Sequence, residues 1–297
     1  HSLLLILALA LPTVALASTP ISEVRALSPQ GMVSIDNTKG AVVVRVSTKP
    51  EVRIEGAVGE GVLRVAIEGD HNNLHIRVVN PDAKGWFGNW GGNKSGETRL
   101  EITIPASASV SVEGVSAAND IQGVAGRRLS VDTVSGNIDV AGAPDEAQIK
   151  SVSGDLRLNL QTNKVHAETV NGNLDLRGRL NGDITIGTVS GRMLLDAESP
   201  SELEVSAVSG NVELHTGIAQ RGQIKAESTT GDIKLVLPAA SSAQLELNSY
   251  SGQVQSDTGT VAKAETGTGA TLNTRIGKGE ANISVESFSG DLSLNLE

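Results

Sequence analysis

Hydrophobic and polar positions alternate with a period of two along most of the chain. The clearest stretches are Leu129, Val131 and Thr133; Ala147, Ile149 and Ser151; Val165, Ala167 and Thr169; Ile184, Ile186 and Thr188; Leu203, Val205 and Ala207; and Ile224, Ala226 and Ser228. Each has polar or small residues between the named positions. The same pattern returns at Leu245, Leu247 and Ser249, and at Ile283, Val285 and Ser287. Strict alternation puts successive side chains on opposite faces of a strand, so these segments are predicted as half-buried β-strands. No helical spacing of apolar residues interrupts them.

Each stretch runs into a short motif ending in glycine, and this motif repeats. The glycines are Gly136, Gly154, Gly172, Gly191, Gly210, Gly231, Gly252 and Gly290, five of them preceded by Val-Ser or Val-Asn. Their spacings are 18, 18, 19, 19, 21, 21 and 38 residues. The last is two periods of 19, which predicts one degenerate unit between Gly252 and Gly290. A second alternating segment follows most of the glycines: Ile138 and Val140, Leu156 and Leu158, Leu174 and Leu176, Val212 and Leu214, Ile233 and Leu235, Leu292 and Leu294.

Two short strands, a glycine corner and a variable turn make one coil of a solenoid. The predicted fold is therefore all-β: a single-stranded β-solenoid (β-helix) of about 18–21 residues per coil. Equivalent residues would stack about 4.8 Å apart. Glycine at the corner is expected because it adopts positive φ without steric cost. A small residue three before it would let the chain bend. One coil buries too little apolar surface to fold alone, so stability must come from neighbour stacking. The column three residues after the glycine alternates in charge, with Asp139, Arg157 and Asp175 in successive coils and Glu213 beside Lys234. Such columns are expected to act as surface charge ladders.

Residues 111–297 carry the regular repeats. Residues 18–110 remain strand-rich, at 41–46, 52–55, 63–68, 74–79 and 99–104. They read as a cap or as irregular early coils continuous with the solenoid. A Gly-rich stretch, 80–97, interrupts them and holds Trp86, Phe87 and Trp90. Aromatics on a loop are candidates for ligand or partner contact. Residues 1–17 read as a secretory signal: Leu and Ala dominate 3–11, and Ala15-Leu16-Ala17 fits a cleavage site. Ser18, not Cys, follows that site. No other run is long and apolar enough to span a bilayer. The chain is thus expected to be exported, most simply to the periplasm, with the cell surface or secretion as alternatives.

Composition sharpens this. Of 297 residues, aromatics make up 2%, so the core must be aliphatic. The formal charge of −10 repels polyanions and argues against nucleic acid as a partner. With no Cys, thiol catalysis, thiolate metal sites and disulfides are excluded. His71 and His75 are four apart, but a strand–turn context does not converge them on a metal as a helix would. His166 and His215 suggest no Ser/His/Asp arrangement. Gly91 to Ser95 lacks the glycine spacing of a phosphate loop. The Asn/Asp column after the glycine (Asn137, Asp155, Asn173, Asn211, Asp232 and Asp291) lacks the nonapeptide of calcium-binding β-rolls and fits turn hydrogen bonding. No catalytic residue, cofactor or metal is expected.

The signal-like segment, the repeated Val-Ser-Gly-[Asn/Asp]-[Ile/Leu] units and the lead-in from Leu100 to Pro105 resemble the bacterial putative-adhesin family, an exported β-strand-repeat domain of unknown function. The resemblance covers roughly residues 30–297. It implies a β-solenoid, an envelope location, and a role in surface interaction or envelope-stress response, with no catalytic residues. The expected function is a non-enzymatic interaction or scaffold module whose partner is an envelope protein, a glycan or a peptide. The alternatives are an envelope-stress sensor that binds a signalling partner or a cationic peptide, and a β-helical polysaccharide-active enzyme.

Overall fold

The computed structural model describes residues 19–81, 95–263 and 268–297. Within them the chain is all-β, with no helix. The strands are β1 (Thr19–Ala26), β2 (Met32–Ser47), β3 (Glu51–Val58), β4 (Arg64–Gly69), β5 (Asn73–Val79), β6 (Thr98–Pro105), β7 (Ser109–Val124) and β8 (Arg128–Thr133). They continue with β9 (Ile138–Gly142), β10 (Glu146–Ser151), β11 (Leu156–Asn171), β12 (Leu174–Ser190), β13 (Met193–Ala197), β14 (Glu202–Ser209), β15 (Val212–Thr216) and β16 (Gln223–Thr230). The last are β17 (Ile233–Leu237), β18 (Ala243–Ser249), β19 (Val254–Ser256), β20 (Val261–Lys263), β21 (Ala270–Ile276), β22 (Ala281–Ser289) and β23 (Leu292–Leu296).

Parallel pairing joins them into two ladders. The first runs from the front half of β2 through the front half of β7, then β8, β10, the back halves of β11 and β12, β14 and β16. The second runs from the back halves of β2 and β7 through β9, the front halves of β11 and β12, β13, β15 and β17. Partners in the first ladder are one sequence period apart: Leu129 faces Ala147, Ala147 faces Val165, Val165 faces Ile184, Ile184 faces Leu203 and Leu203 faces Ile224. The chain is thus a β-solenoid-like stack. Four strands, β2, β7, β11 and β12, carry 16 or 17 residues and pass through a bend, so they serve more than one ladder segment.

The aliphatic positions marked by the alternation form one core, continuous from Leu27 to Leu294. At the N-terminal end both ladders continue through β2, which lies parallel to β7 in the register Val33–Val110 and Val42–Asn119. Beyond it, β4 and β5 extend one ladder, and β1, β3 and β6 extend the other, with antiparallel pairs at the rim.

The C-terminal end departs from the expected order. β16 pairs not with β18 but with β22, so Ile224 faces Ile283. β22 in turn pairs with β18, so Ile283 faces Leu245. The last coil in sequence is therefore inserted ahead of the coil at 243–256. The segment that the spacing assigns to a degenerate coil instead contains β21, which runs antiparallel to β18 and is flanked by antiparallel β20. An antiparallel hairpin ends the parallel ladder and shields an edge that would otherwise invite pairing with another chain.

The corner glycines are explained by close packing more than by φ. Only Gly191, Gly210 and Gly231 of the eight have φ in the left-handed region, at 148°, 142° and 143°. At all eight, an added Cβ would lie 2.0–2.2 Å from a carbonyl oxygen of the adjacent coil. Gly172 would strike Gly154 O, and Gly290 would strike Gly231 O. The backbones approach too closely at this corner for any side chain.

Candidate functional site

The residue two before each corner glycine is the one that sequence reasoning passed over. The residue three before it (Thr133, Ser151, Thr169, Thr188, Ala207, Ser228, Ser249 or Ser287) is buried. Alternation therefore turns the next side chain outward. Val134, Val152, Val170, Val189 and Val208 are 38–48% exposed, as is Val115 in the preceding coil. Register continues the row through Thr229 to Phe288 and then Tyr250, which are 64% and 68% exposed. Among the described residues, eight of the ten exposed large hydrophobics lie in this one row; Val24 and Leu63 are the others. Nine stacked positions at the inter-strand spacing make a row about 38 Å long. The Phe288 and Tyr250 rings end it with their centroids 6.0 Å apart.

The row lines a surface groove of about 1180 Å³ that crosses the coils. Its other wall is the outward residue four before the glycine: Glu113, Asp132, Lys150, Glu168, Gly187, Ser206, Glu227 and Glu286. This wall is mainly acidic. Glu168 is tied to Lys150 at 3.5 Å and to His166 at 3.2 Å, and Glu227 to Lys225 at 2.6 Å. Glu113, Asp132 and Glu286 have no ion-pair partner among the described residues. Asp36, Glu113 and Asp132 occupy directly facing positions on three neighbouring strands. On the far side of the row lie small neutral residues, Ser135, Ser153, Asn171, Ser190 and Ser209, all exposed. The groove is thus apolar along its length except at Thr229, mainly acidic on one flank and neutral on the other.

The remaining candidates fall elsewhere. Trp86, Phe87, Trp90 and the glycine-rich run from Gly91 to Lys94 lie outside the described residues. The Asn/Asp column forms a ladder between coils: Asn137 Oδ1 accepts from the Asp155 N–H, Asp155 Oδ1 from the Asn173 N–H, and Asn173 Oδ1 from the Arg192 N–H. Near the C-terminus the ladder follows the spatial order, with Asp232 Oδ1 accepting from the Asp291 N–H and Asp291 Oδ1 from the Gln253 N–H. These side chains satisfy backbone donors of the next coil. In the charge column, Arg157 faces Asp139 and Asp175, and Lys234 Nζ reaches Glu213 Oε1 at 2.8 Å.

His75 sits 2.8 Å from Asp36 and His215 2.9 Å from Glu213. No group of three or more potential metal ligands is found among the described residues. Among the described residues, the carboxylates whose pKa clearly moves are all lowered. Lys234, with His215, holds Glu213 down at about 2, Arg45 lowers Asp120, Lys164 lowers Glu146, and backbone N–H groups of Asn72 and Asn73 lower Asp70.

Fold and groove together define a β-solenoid-like domain that presents a periodic apolar track. The chain belongs to the Toastrack DUF4097 family, which it matches over residues 32–295. Among solved structures it is similar to a putative adhesin from Bacteroides fragilis, at 11% identity and TM-score 0.42, covering 95% of this chain and 99% of that one. A putative adhesin from Parabacteroides distasonis matches at 8% identity and TM-score 0.39, covering 93% and 97%. A protein from the same species described as putative lipid binding matches at 10% identity and TM-score 0.29, covering 94% and 96%. No curated protein matches significantly.

Proposed function

We propose that the protein is a non-enzymatic, exported envelope module that holds a partner along the valine-lined groove. The row of exposed aliphatics carries this reading. Outward positions of a solvated sheet are normally polar, and a contiguous apolar track rimmed by polar groups marks an interaction surface. Stacking keeps the track straight, so the scaffold acts as a rigid template, with a single-stranded solenoid winding as its simplest description. Export rests on residues 1–17, read as a signal removed after Ala17; the periplasm is the favoured compartment.

The electrostatics support a binding role over catalysis. A glycoside hydrolase of the two-carboxylate kind needs a carboxylic acid held protonated near neutral pH, hence a raised pKa. The shifted carboxylates here are lowered by surface ion pairs and hydrogen bonds. An aliphatic track also suits a polypeptide partner better than a glycan, which stacks on aromatic faces.

The test substitutes Val152→Thr, Val170→Thr and Val189→Thr together. Threonine keeps the β-branched shape at outward positions, so the fold is expected to hold. Binding to a solubilised envelope fraction, measured by retention on immobilised protein, is expected to fall at least tenfold. Equal retention by both proteins overturns the reading. Fractionation of cells expressing the full chain, with and without residues 1–17, checks export separately.

A further inference from the structure

We propose that the groove's partner is a cationic amphipathic α-helix, seated lengthwise with its apolar stripe on the valine row and its Lys or Arg residues against the acidic wall. The inference rests on the groove being the contact surface and adds the chemistry of the occupant.

Charge comes first. Glu113, Asp132 and Glu286 project from the wall without an ion-pair partner among the described residues, and Glu113 stands between two carboxylates, Asp36, which His75 contacts at 2.8 Å, and Asp132, whose other strand neighbour is Lys150. Like charges directly opposite are unfavourable in a sheet. A partner that brings cations relieves this repulsion and is steered to the site by it. The opposite flank, with Ser135, Ser153 and Ser190, offers no charge. The partner's cations therefore belong on one side of its apolar stripe only.

Pitch comes second. The row repeats every 4.8 Å or so. Stripe residues of a helix, three or four apart, recur about every 4.5–6 Å along its axis, which brackets that spacing. A strand lying along the same direction repeats its face about every 6.6–6.8 Å and falls out of step. A row about 38 Å long matches a helix of about 25 residues. A second copy of this chain laid antiparallel on the groove would set one acidic wall near the other and, laid parallel, would leave each wall against a neutral flank with no cation to meet it; anionic lipid headgroups would be repelled.

The test measures fluorescence anisotropy with three labelled peptides of about 25 residues. One is a Leu/Lys helix with lysines on one flank of the stripe. The second is its scramble, with the same composition and no stripe. The third carries Glu in place of Lys. The first is expected to bind, and to bind more weakly as salt rises. The variant Glu113→Gln, Asp132→Asn and Glu286→Gln is expected to lose about tenfold affinity at low salt and to flatten the salt dependence. The triple valine variant is expected to lose affinity at low and high salt alike. Circular dichroism of each variant checks folding.

Equal binding of the scramble, or an unchanged carboxylate variant, overturns the cationic-helix proposal. So does tighter valine-dependent binding of the Glu peptide or of zwitterionic vesicles, and so does valine-dependent dimerisation in sedimentation. In these three cases the groove stands as a contact surface with a different occupant. If the valine variant changes none of these signals, the contact-surface reading falls as well.

Discussion

Replacing Gly172 with alanine tests why the corner must be glycine. The new Cβ would stand 2.1 Å from Gly154 O, 2.8 Å from Gly154 C and 3.0 Å from Thr169 Oγ1. Contacts below 3.0 Å are essentially never tolerated, so the two coils must part by about 1 Å at this point. The separation strains the ladder bonds between these two coils, among them the Asn171 N–H to Val152 O at 2.8 Å and the Leu156 N–H to Asn173 O at 2.8 Å. Overpacking costs about 1–3 kcal/mol, and each weakened bond up to about 1 kcal/mol. The expected loss is about 3 kcal/mol. Gly172 is not in the left-handed region, whereas Gly191 is, at φ 148°. Gly191→Ala carries the same clash, with 2.0 Å to Gly172 O, and should cost a further ~1–3 kcal/mol for its backbone. Urea unfolding followed by circular dichroism gives the ordering, with Ser153→Ala as the exposed control. Amide exchange at residues 153–155 and 171–173 shows whether the damage starts at that corner. A Gly172→Ala protein within about 0.5 kcal/mol of wild type would refute the close-approach account of this corner.

Truncation before Ala281 should be far more damaging than loss of a peripheral coil, because β22 and β23 lie between the coils of β16–β17 and β18–β19; limited proteolysis should then cleave 243–280 rapidly, and a protected 243–256 segment would contradict the inserted order. Glu213, held at about 2 chiefly by Lys234, has a folded pKa below its ordinary 4.5. Its contribution is therefore complete above pH 4.5 and lost as pH falls toward 2, and because solvent reaches and screens the pair it is worth under about 1 kcal/mol. In Lys234→Met, a carboxyl NMR titration should find Glu213 shifted back toward 4.5, and no movement would remove Lys234 as the cause. Asn173→Ala deletes the acceptor for the Arg192 N–H and should cost about 1 kcal/mol, with faster exchange at the Arg192 amide; unchanged exchange would deny the ladder a role.

Much of the architecture was legible because it is local. Alternation at Leu129, Val131 and Thr133 marks the buried face wherever the strand ends up, and the core accepts these positions without exception in that coil. The groove was half legible. Once Thr133, Ser151 and Thr169 are taken as inward, Val134, Val152 and Val170 must point outward. In the sequence these valines stand out only as part of the motif that ends in glycine, and the aromatic cluster at 86–90 draws the binding assignment instead.

By itself the sequence determined the strands, the period and the aliphatic interior, since each follows from side-chain alternation and from spacing within about 20 residues. The tertiary structure decided three things. It chose which coil lies against which, because the units at 223–237, 243–256 and 281–296 offer nearly the same face and register, and the pairing observed sets the last of them between the other two. It showed that the corner glycines are set mainly by a neighbouring carbonyl, since that atom belongs to a residue a full coil away. It aligned single exposed valines into one track, because an apolar surface exists only when separate coils are brought side by side.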